Sequence, residues 1–214
     1  MVEILYEDNH LLILNKPAGV LTIAGGTDED NLQDQGKEYI KISKNKPGNA
    51  YLEAVHRLDR PVSGIVLFAK TSKALSRLNE KMREGKYEKI YTAQVENPFQ
   101  ELQGKLVHYL VHGDYQAAVV ASSHPKAKIA RLEYRVLENG RFPLVEIVLD
   151  TGRYHQIRAQ MGAIGHPIVG DDRYGSRTPG VRIQLHHSRL SFDHPVTGEP
   201  LQISCSPCST GFSL

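Results

Sequence analysis

Apolar residues in this chain arrive in short bursts between polar turns, a spacing that favours strands over long helices. Glu3 to Glu7 and Leu11 to Leu14 read as two strands joined at Asp8, Asn9 and His10. Lys16, Pro17, Ala18 and Gly19 end the second strand, because proline cannot donate to a ladder and glycine opens a turn. Residues 24 to 49 are rich in Gly, Asp, Lys and Asn and read as a mobile connection with a single helical turn. Gly64 to Ala69 has the unbroken apolar run of a buried strand. Thr71 and Ser72 then cap a helix whose stripe is Leu75, Leu78 and Met82, and Gly85 stops it.

Further strands are expected over Tyr87 to Val95 and near 105–111, 115–121, 128–137 and 143–150. A second helix is predicted from Tyr154 to Ile164, with Ile157, Met161 and Ile164 facing the core and Gly165 ending it. Strands near 182–192 and 200–204 finish the chain. Many strands, few helices and hairpin-length connections predict an α+β fold on a mainly antiparallel sheet.

Composition narrows the class. A chain of 214 residues fits one domain, or one domain with two lobes, and an apolar content of 40% makes it globular. The predicted domain runs over 1–204, and 205–214 is a tail. Glu3, Glu7 and Asp8 stand where a signal peptide needs positive charge. The longest apolar runs are too short to cross a bilayer, so a soluble, cytoplasmic monomer without membrane contact is expected. Cys205 and Cys208 are the only two cysteines, too few to staple a fold of this size, which suits a reducing compartment. Their C-x-x-C lacks a second ligand pair at zinc spacing and opens a polar tail rather than a helix, so neither a metal nor a redox role is expected.

Charge is informative only locally. The net charge is +2, but Thr151 to Leu190 holds six arginines against Asp171 and Asp172. Lys70 to Lys89 holds seven cations against Glu80, Glu84 and Glu88. Two basic zones on a nearly neutral protein suggest one face for a polyanion. For the helix within the Lys70 to Lys89 zone, a solvated polar face is the competing reading.

Two segments carry candidate chemistry. His56, Arg57, Leu58, Asp59, Arg60, Pro61, Val62, Ser63 and Gly64 place an acid between two arginines, in a turn before a buried strand. Neighbouring cations favour the ionised carboxylate, and a carboxylate held so can act as a nucleophile at a sugar carbon. A turn-capping aspartate in a surface ion pair is the alternative. The second segment runs from Thr151 to Met161: a glycine break, then a helix start dense in donors, including Arg153, His155, Gln156 and Arg158. Helix N-termini attract anions, so phosphate could bind here. Arg158 lies beside the apolar stripe and needs a carboxylate or water, with Asp59 the natural candidate. For Arg153 and His155 plain solvent exposure is the alternative.

At these residues the chain resembles the RluA-type pseudouridine synthases. His56, Arg57, Leu58 and Asp59 followed by Ser63 and Gly64 look like the family signature. Asn15, Lys16, Pro17 and Gly19 precede it. Lys89 to Ala93, the Thr151 to Arg158 segment, Gly165 to Ile168, Gly170 with Asp171, Tyr174 with Gly175, and Phe192 to Pro195 follow in family order. The resemblance covers nearly the whole chain.

It implies the pseudouridine synthase fold, a sheet in two lobes with flanking helices and a central cleft. It implies isomerisation of uridine to pseudouridine in RNA, with Asp59, Tyr91 and Arg158 catalytic. His56, Arg57, Arg60, Arg153, His155 and Gln156 are then the residues expected on the RNA. Uracil must leave C1′, rotate and reattach through C5. That needs a carboxylate, a ring under the base and a proton acceptor, and Tyr91 can supply the last two. On pattern alone Tyr91 could equally be a half-buried strand tyrosine. The reaction is redox-neutral and moves no outside group, so neither cofactor nor metal is expected. Val62 stands where the family commonly has threonine. Only two residues precede the first strand, so RNA recognition is expected from this domain, on tRNA first and ribosomal RNA second. The alternatives are a non-catalytic RNA-binding protein on this fold and a hydrolase of N-glycosidic bonds that releases free uracil.

Overall fold

The computed structural model describes residues 2–26, 29–45, 48–178 and 180–207. The backbone separates into two compact units, Met1–Tyr87 with His187–Ser206, and Glu88–His186. The fold is α+β, and its named strand pairings are antiparallel.

In the first unit β1 (Glu3–Glu7) and β2 (Leu11–Lys16) form the expected hairpin. The Asp8 carboxylate closes its turn by accepting from the His10 and Leu11 amides, both at 2.7 Å. Next to β2 lies β4 (Ser63–Ala69), which also carries the two-residue β3 (Glu53–Ala54). The β4 run is predicted as buried, and Ile65 to Ala69 are indeed fully inaccessible, as are Leu11 to Leu14 of β2. Burying each such side chain contributes about 1.5–3 kcal/mol, which makes this strand pair the unit's rigid base. β10 (Leu185–Asp193) follows β4, and β11 (Pro200–Ser204) pairs with β10. Across the sheet packs α2 (Ser72–Arg83), capped as predicted by the Thr71 hydroxyl, which accepts from the Ala74 amide at 3.1 Å.

One expectation fails here. The stretch over 24–49 is not mainly loop: it holds α1 (Leu32–Ser43), twelve residues capped by Asn31. Its buried face is Leu32, Gln33, Gly36 and Ile40. A Cβ on Gly36 would lie 2.6 Å from the Leu52 side chain. Gly36, which composition suggests is a breaker, is a buried helix position with no room for a side chain.

The second unit orders its strands β5 (Glu88–Gln94), β9 (Leu144–Leu149), β8 (Lys128–Glu138), β6 (Gln103–His112) and β7 (Ala117–Val120). Their positions follow the predicted bursts to within a few residues at the ends. α3 (Gln156–Ala163) packs on this sheet beside Leu110, Ala117 and Ala130. It starts two residues later than predicted and lacks a single apolar face: Gln156, Ile157, Arg158, Ala159, Gln160 and Met161 are all buried. The late start has a backbone cause. His155 takes the left-handed conformation (φ 51°), which separates Tyr154 from the helix. Among the described residues no helix is long and apolar enough to cross a membrane.

Candidate active site

Asp59 sits in the first unit, half-buried, in the turn that leads into β4. The turn is closed by the Val62 amide donating to the Asp59 carbonyl at 3.0 Å. It is held from beneath by the segment that follows β2. The buried Thr22 hydroxyl donates to the Leu58 carbonyl and accepts from the Leu58 amide, at 3.0 and 3.1 Å. On the other side of Asp59, the Arg60 carbonyl accepts from the Gly19 amide at 2.8 Å and from the Lys16 ammonium at 3.1 Å. The backbone on both sides of the carboxylate is therefore fixed by groups remote in sequence.

Lys16 is the unexpected member. It is fully buried, and its ammonium donates to the Pro17, Val20 and Arg60 carbonyls. Burial pushes its pKa down to about 8, while the nearby Asp59 charge pulls the other way. At neutral pH a positive charge thus lies under the turn, supplied by a different residue from the flanking arginines. Arg57 is exposed, and Arg60 turns to the Gly19 carbonyl (2.9 Å) and to Glu29 (3.3 Å). His56 accepts from the Leu67 amide at 3.3 Å and lies edge-on to His187, which ties its ring to β4. Gly64 is required: a Cβ there would overlap the His187 backbone.

The second unit contains both Tyr91 and the start of α3. Tyr91 is buried in β5, opposite Ile147 of β9. The turn over 151–153 is fastened by Gln156, whose amide oxygen accepts from the Thr151 hydroxyl (2.8 Å) and the Arg153 amide (2.9 Å). Its amide nitrogen donates to the Arg131 carbonyl at 3.0 Å. Gln156, expected on the RNA, thus has its amide committed to the fold. Arg153 is exposed, its Nε held by the Ile129 carbonyl at 3.0 Å.

Arg158 is 4% exposed, and the carboxylate that holds it within its own unit is Asp171, which is fully buried. The pair is bidentate, Nε to Oδ2 at 2.6 Å and Nη2 to Oδ1 at 2.8 Å. The remaining Nη1 lies 3.0 Å from His155 Nε2. A guanidinium can only donate, so that imidazole nitrogen accepts and the ring proton sits on Nδ1, which donates to the Tyr174 hydroxyl at 2.9 Å. The same phenol oxygen accepts from the Ala117 amide at 2.7 Å, and its ring lies under the guanidinium at 5.1 Å. Burial raises the Tyr174 pKa. Asp171, His155 and Tyr174 form a bracket that gives Arg158 one orientation. Pattern reasoning names His155 but leaves it between phosphate contact and exposure. It does not find Asp171 or Tyr174 as partners, although both lie in the blocks that carry the resemblance.

The two basic zones also differ. In the first unit Lys70 pairs with Glu7 (2.7 Å), Lys81 with Asp193 (3.2 Å) and Lys86 with Glu84 (2.7 Å), and Arg77 donates to the Pro195 carbonyl. In the second, Arg173, Arg177 and Arg182 are exposed; Arg173 donates to the Tyr115 carbonyl at 2.7 Å, and the Glu96 carboxylate accepts from Ser176, Arg177 and Thr178. Cys205 is buried, while Cys208 lies outside the described residues.

Residues 10–163 match the family model described as RNA pseudouridylate synthase. Ribosomal large subunit pseudouridine synthase C of Salmonella typhimurium is 36% identical over 94% of this chain, as is the protein of the same name from Escherichia coli. The chain spans 65% of the length of each of these relatives. Among solved structures, human RNA pseudouridylate synthase domain containing 4 superposes with a TM-score of 0.82 at 22% identity, covering 97% of this chain and 89% of its own. Human RNA pseudouridylate synthase domain containing 1 gives 0.77 at 23%, covering 97% and 84%. At that identity the likeness concerns the fold.

Proposed function

Because the chain belongs to the RNA pseudouridylate synthase family, we propose that it converts uridine to pseudouridine in RNA, with Asp59 as nucleophile. The observation that carries the proposal is the family match over 10–163, a span that contains Asp59, Tyr91 and Arg158. The local geometry supports it. A fixed turn presents the Asp59 carboxylate, a buried strand holds the Tyr91 ring, and a three-residue bracket fixes Arg158, so each group is pre-set before substrate arrives.

In the proposed reaction the C1′–N1 bond of a flipped-out uridine breaks, the base turns, and a C1′–C5 bond forms. The C5 hydrogen is lost as a proton and N1 gains one, so the product is an isomer of the substrate. Asp59 supplies the carboxylate, Tyr91 the stacking ring and proton acceptor, and Arg158 the charge that keeps a carboxylate ionised. Extruding the uridine costs a few kcal/mol, and contacts from exposed arginines such as Arg57 and Arg153 offset it.

For the substrate, the names of the relatives favour large-subunit ribosomal RNA over the tRNA that the resemblance alone puts first. The test is to incubate the purified chain with large-subunit ribosomal RNA and, separately, with tRNA, then digest to nucleosides. Pseudouridine in the ribosomal RNA is expected. Free uracil in its place would favour a glycosidic hydrolase, and bound but unaltered RNA would favour a non-catalytic binder.

A further inference from the structure

Among the described residues, the second unit carries a pocket whose lining joins aromatic rings, cations and apolar side chains. The pocket, of about 200 Å³, opens between the end of β6, the start of β7 and β8, and the turn before α3. Its floor is apolar, from Leu110, Val111 and Ala117, and its rim carries His112, Lys128, Arg153 and Tyr154. No lining residue is an acid. Lys128 and Arg153 are exposed cations, and neither is in an ion pair with any described residue.

The rings on the rim form a stack. Tyr154 lies parallel to His155 at 3.8 Å, and His112 leans on Tyr154 at 4.0 Å with a 41° tilt. His112 is exposed, so the stack ends in solvent. Its inner end is anchored, because His155 bonds to both Arg158 and Tyr174. An apolar floor, an aromatic stack with an open end and two cations match what a nucleotide chain presents: an apolar base with a π-face, and phosphate charge along the backbone. A free inorganic anion would need the cations but not the rings or the apolar floor.

We propose that this pocket is a second nucleotide site, which holds an unpaired nucleotide near the target uridine in the same RNA strand. Its base rests on the His112 end of the stack, and its backbone phosphates meet Lys128 and Arg153. The assignment deepens the proposed function and rests on it. The chain of contacts from Tyr154 through His155 ends on Arg158, the group assigned to keep a carboxylate ionised, so the site adjoins one member of the proposed catalytic set. Gripping a neighbouring nucleotide would hold the target loop open and select RNA in which such a nucleotide is unstacked.

The test uses the full chain and a short single-stranded oligouridylate carrying 4-thiouridine, with crosslinked peptides mapped by mass spectrometry. Crosslinks to the segments around 110–117 and 152–154 are expected. Lys128→Glu should weaken binding about tenfold and reduce the salt dependence by about one counterion, as loss of a phosphate contact does. His112→Ala should raise KM for the RNA far more than it lowers kcat. Absence of crosslinks to these segments, or full affinity in both variants, would overturn the site. The two readings fail separately. If the wild-type chain makes no pseudouridine yet crosslinks here and loses affinity in Lys128→Glu, the nucleotide site stands and the isomerase reading falls. If pseudouridine forms normally while both variants bind as wild type, the reverse holds.

Discussion

The Asp59 turn and the Arg158 cluster are both fixed, by opposite means. Around Asp59 the protein immobilises backbone: Thr22, Gly19 and Lys16 bond to the peptide groups of Leu58 and Arg60. Around Arg158 it immobilises the side-chain head, through a bidentate carboxylate, an imidazole nitrogen and a ring face. The difference suits the assigned roles. A nucleophile must change its bonding during the reaction, so rigidity is placed one covalent step away from it. A charge that only has to be present can be clamped by its own hydrogen bonds.

The largest effect should come from breaking the side-chain clamp. Asp171→Asn leaves the buried Arg158 charge without its counter-charge, which should lower stability by about 3–5 kcal/mol. Turnover should fall by about a hundredfold, with RNA affinity largely kept. Tyr174→Phe retains the ring and removes the hydroxyl, so a loss of roughly 1–2 kcal/mol and a smaller drop in turnover are expected. Thermal melts and single-turnover kinetics measure both. Equal effects from the two variants would show that the bracket does not act through Arg158.

A smaller effect, with a clearer signature, is expected from the backbone support. Lys16 is protonated at neutral pH and loses its charge near pH 8. As it does, one of its three donors is lost, so turnover should decline through that pH. Stability should move the other way. The Lys16 pKa is depressed from 10.5 in the folded protein, so between about 8 and 10.5 the unfolded chain binds more protons, and raising the pH in this window favours the folded state. Lys16→Met should lower turnover about tenfold at pH 7 and abolish the alkaline decline. A pH profile identical to wild type would exclude Lys16 as the support of the turn.

The same contrast explains how much of the molecule was legible. Strands β2, β4 and β9 are apolar runs long enough to read directly, and α2 announces itself by its Thr71 cap and its stripe. α1 was hidden because its buried face includes Gly36, and a residue chosen for small size at a contact looks identical to one chosen to break a helix. Asp59 stands out because charge and turn chemistry coincide in one segment. Lys16 and Thr22 do not, since a lysine at a strand end ordinarily faces solvent, and only the folded chain shows it sealed and bonded to Arg60, 44 positions away. The Arg158 to Asp171 pair escaped for a related reason. Periodicity treats an arginine as the margin of a helix face, whereas α3 is buried almost all round and takes its carboxylate from the loop beyond it.

The most direct test is single-turnover pseudouridine formation by Asp59→Asn on an RNA that the wild-type chain modifies. Asparagine preserves the size of the side chain and leaves the hydrogen bonds of the turn's peptide groups to Thr22, Gly19 and Lys16 in place, so the variant should fold and bind RNA as wild type. Product formation should fall below detection. Pseudouridine made at the wild-type rate by the folded variant would remove the carboxylate from the chemistry and contradict the account.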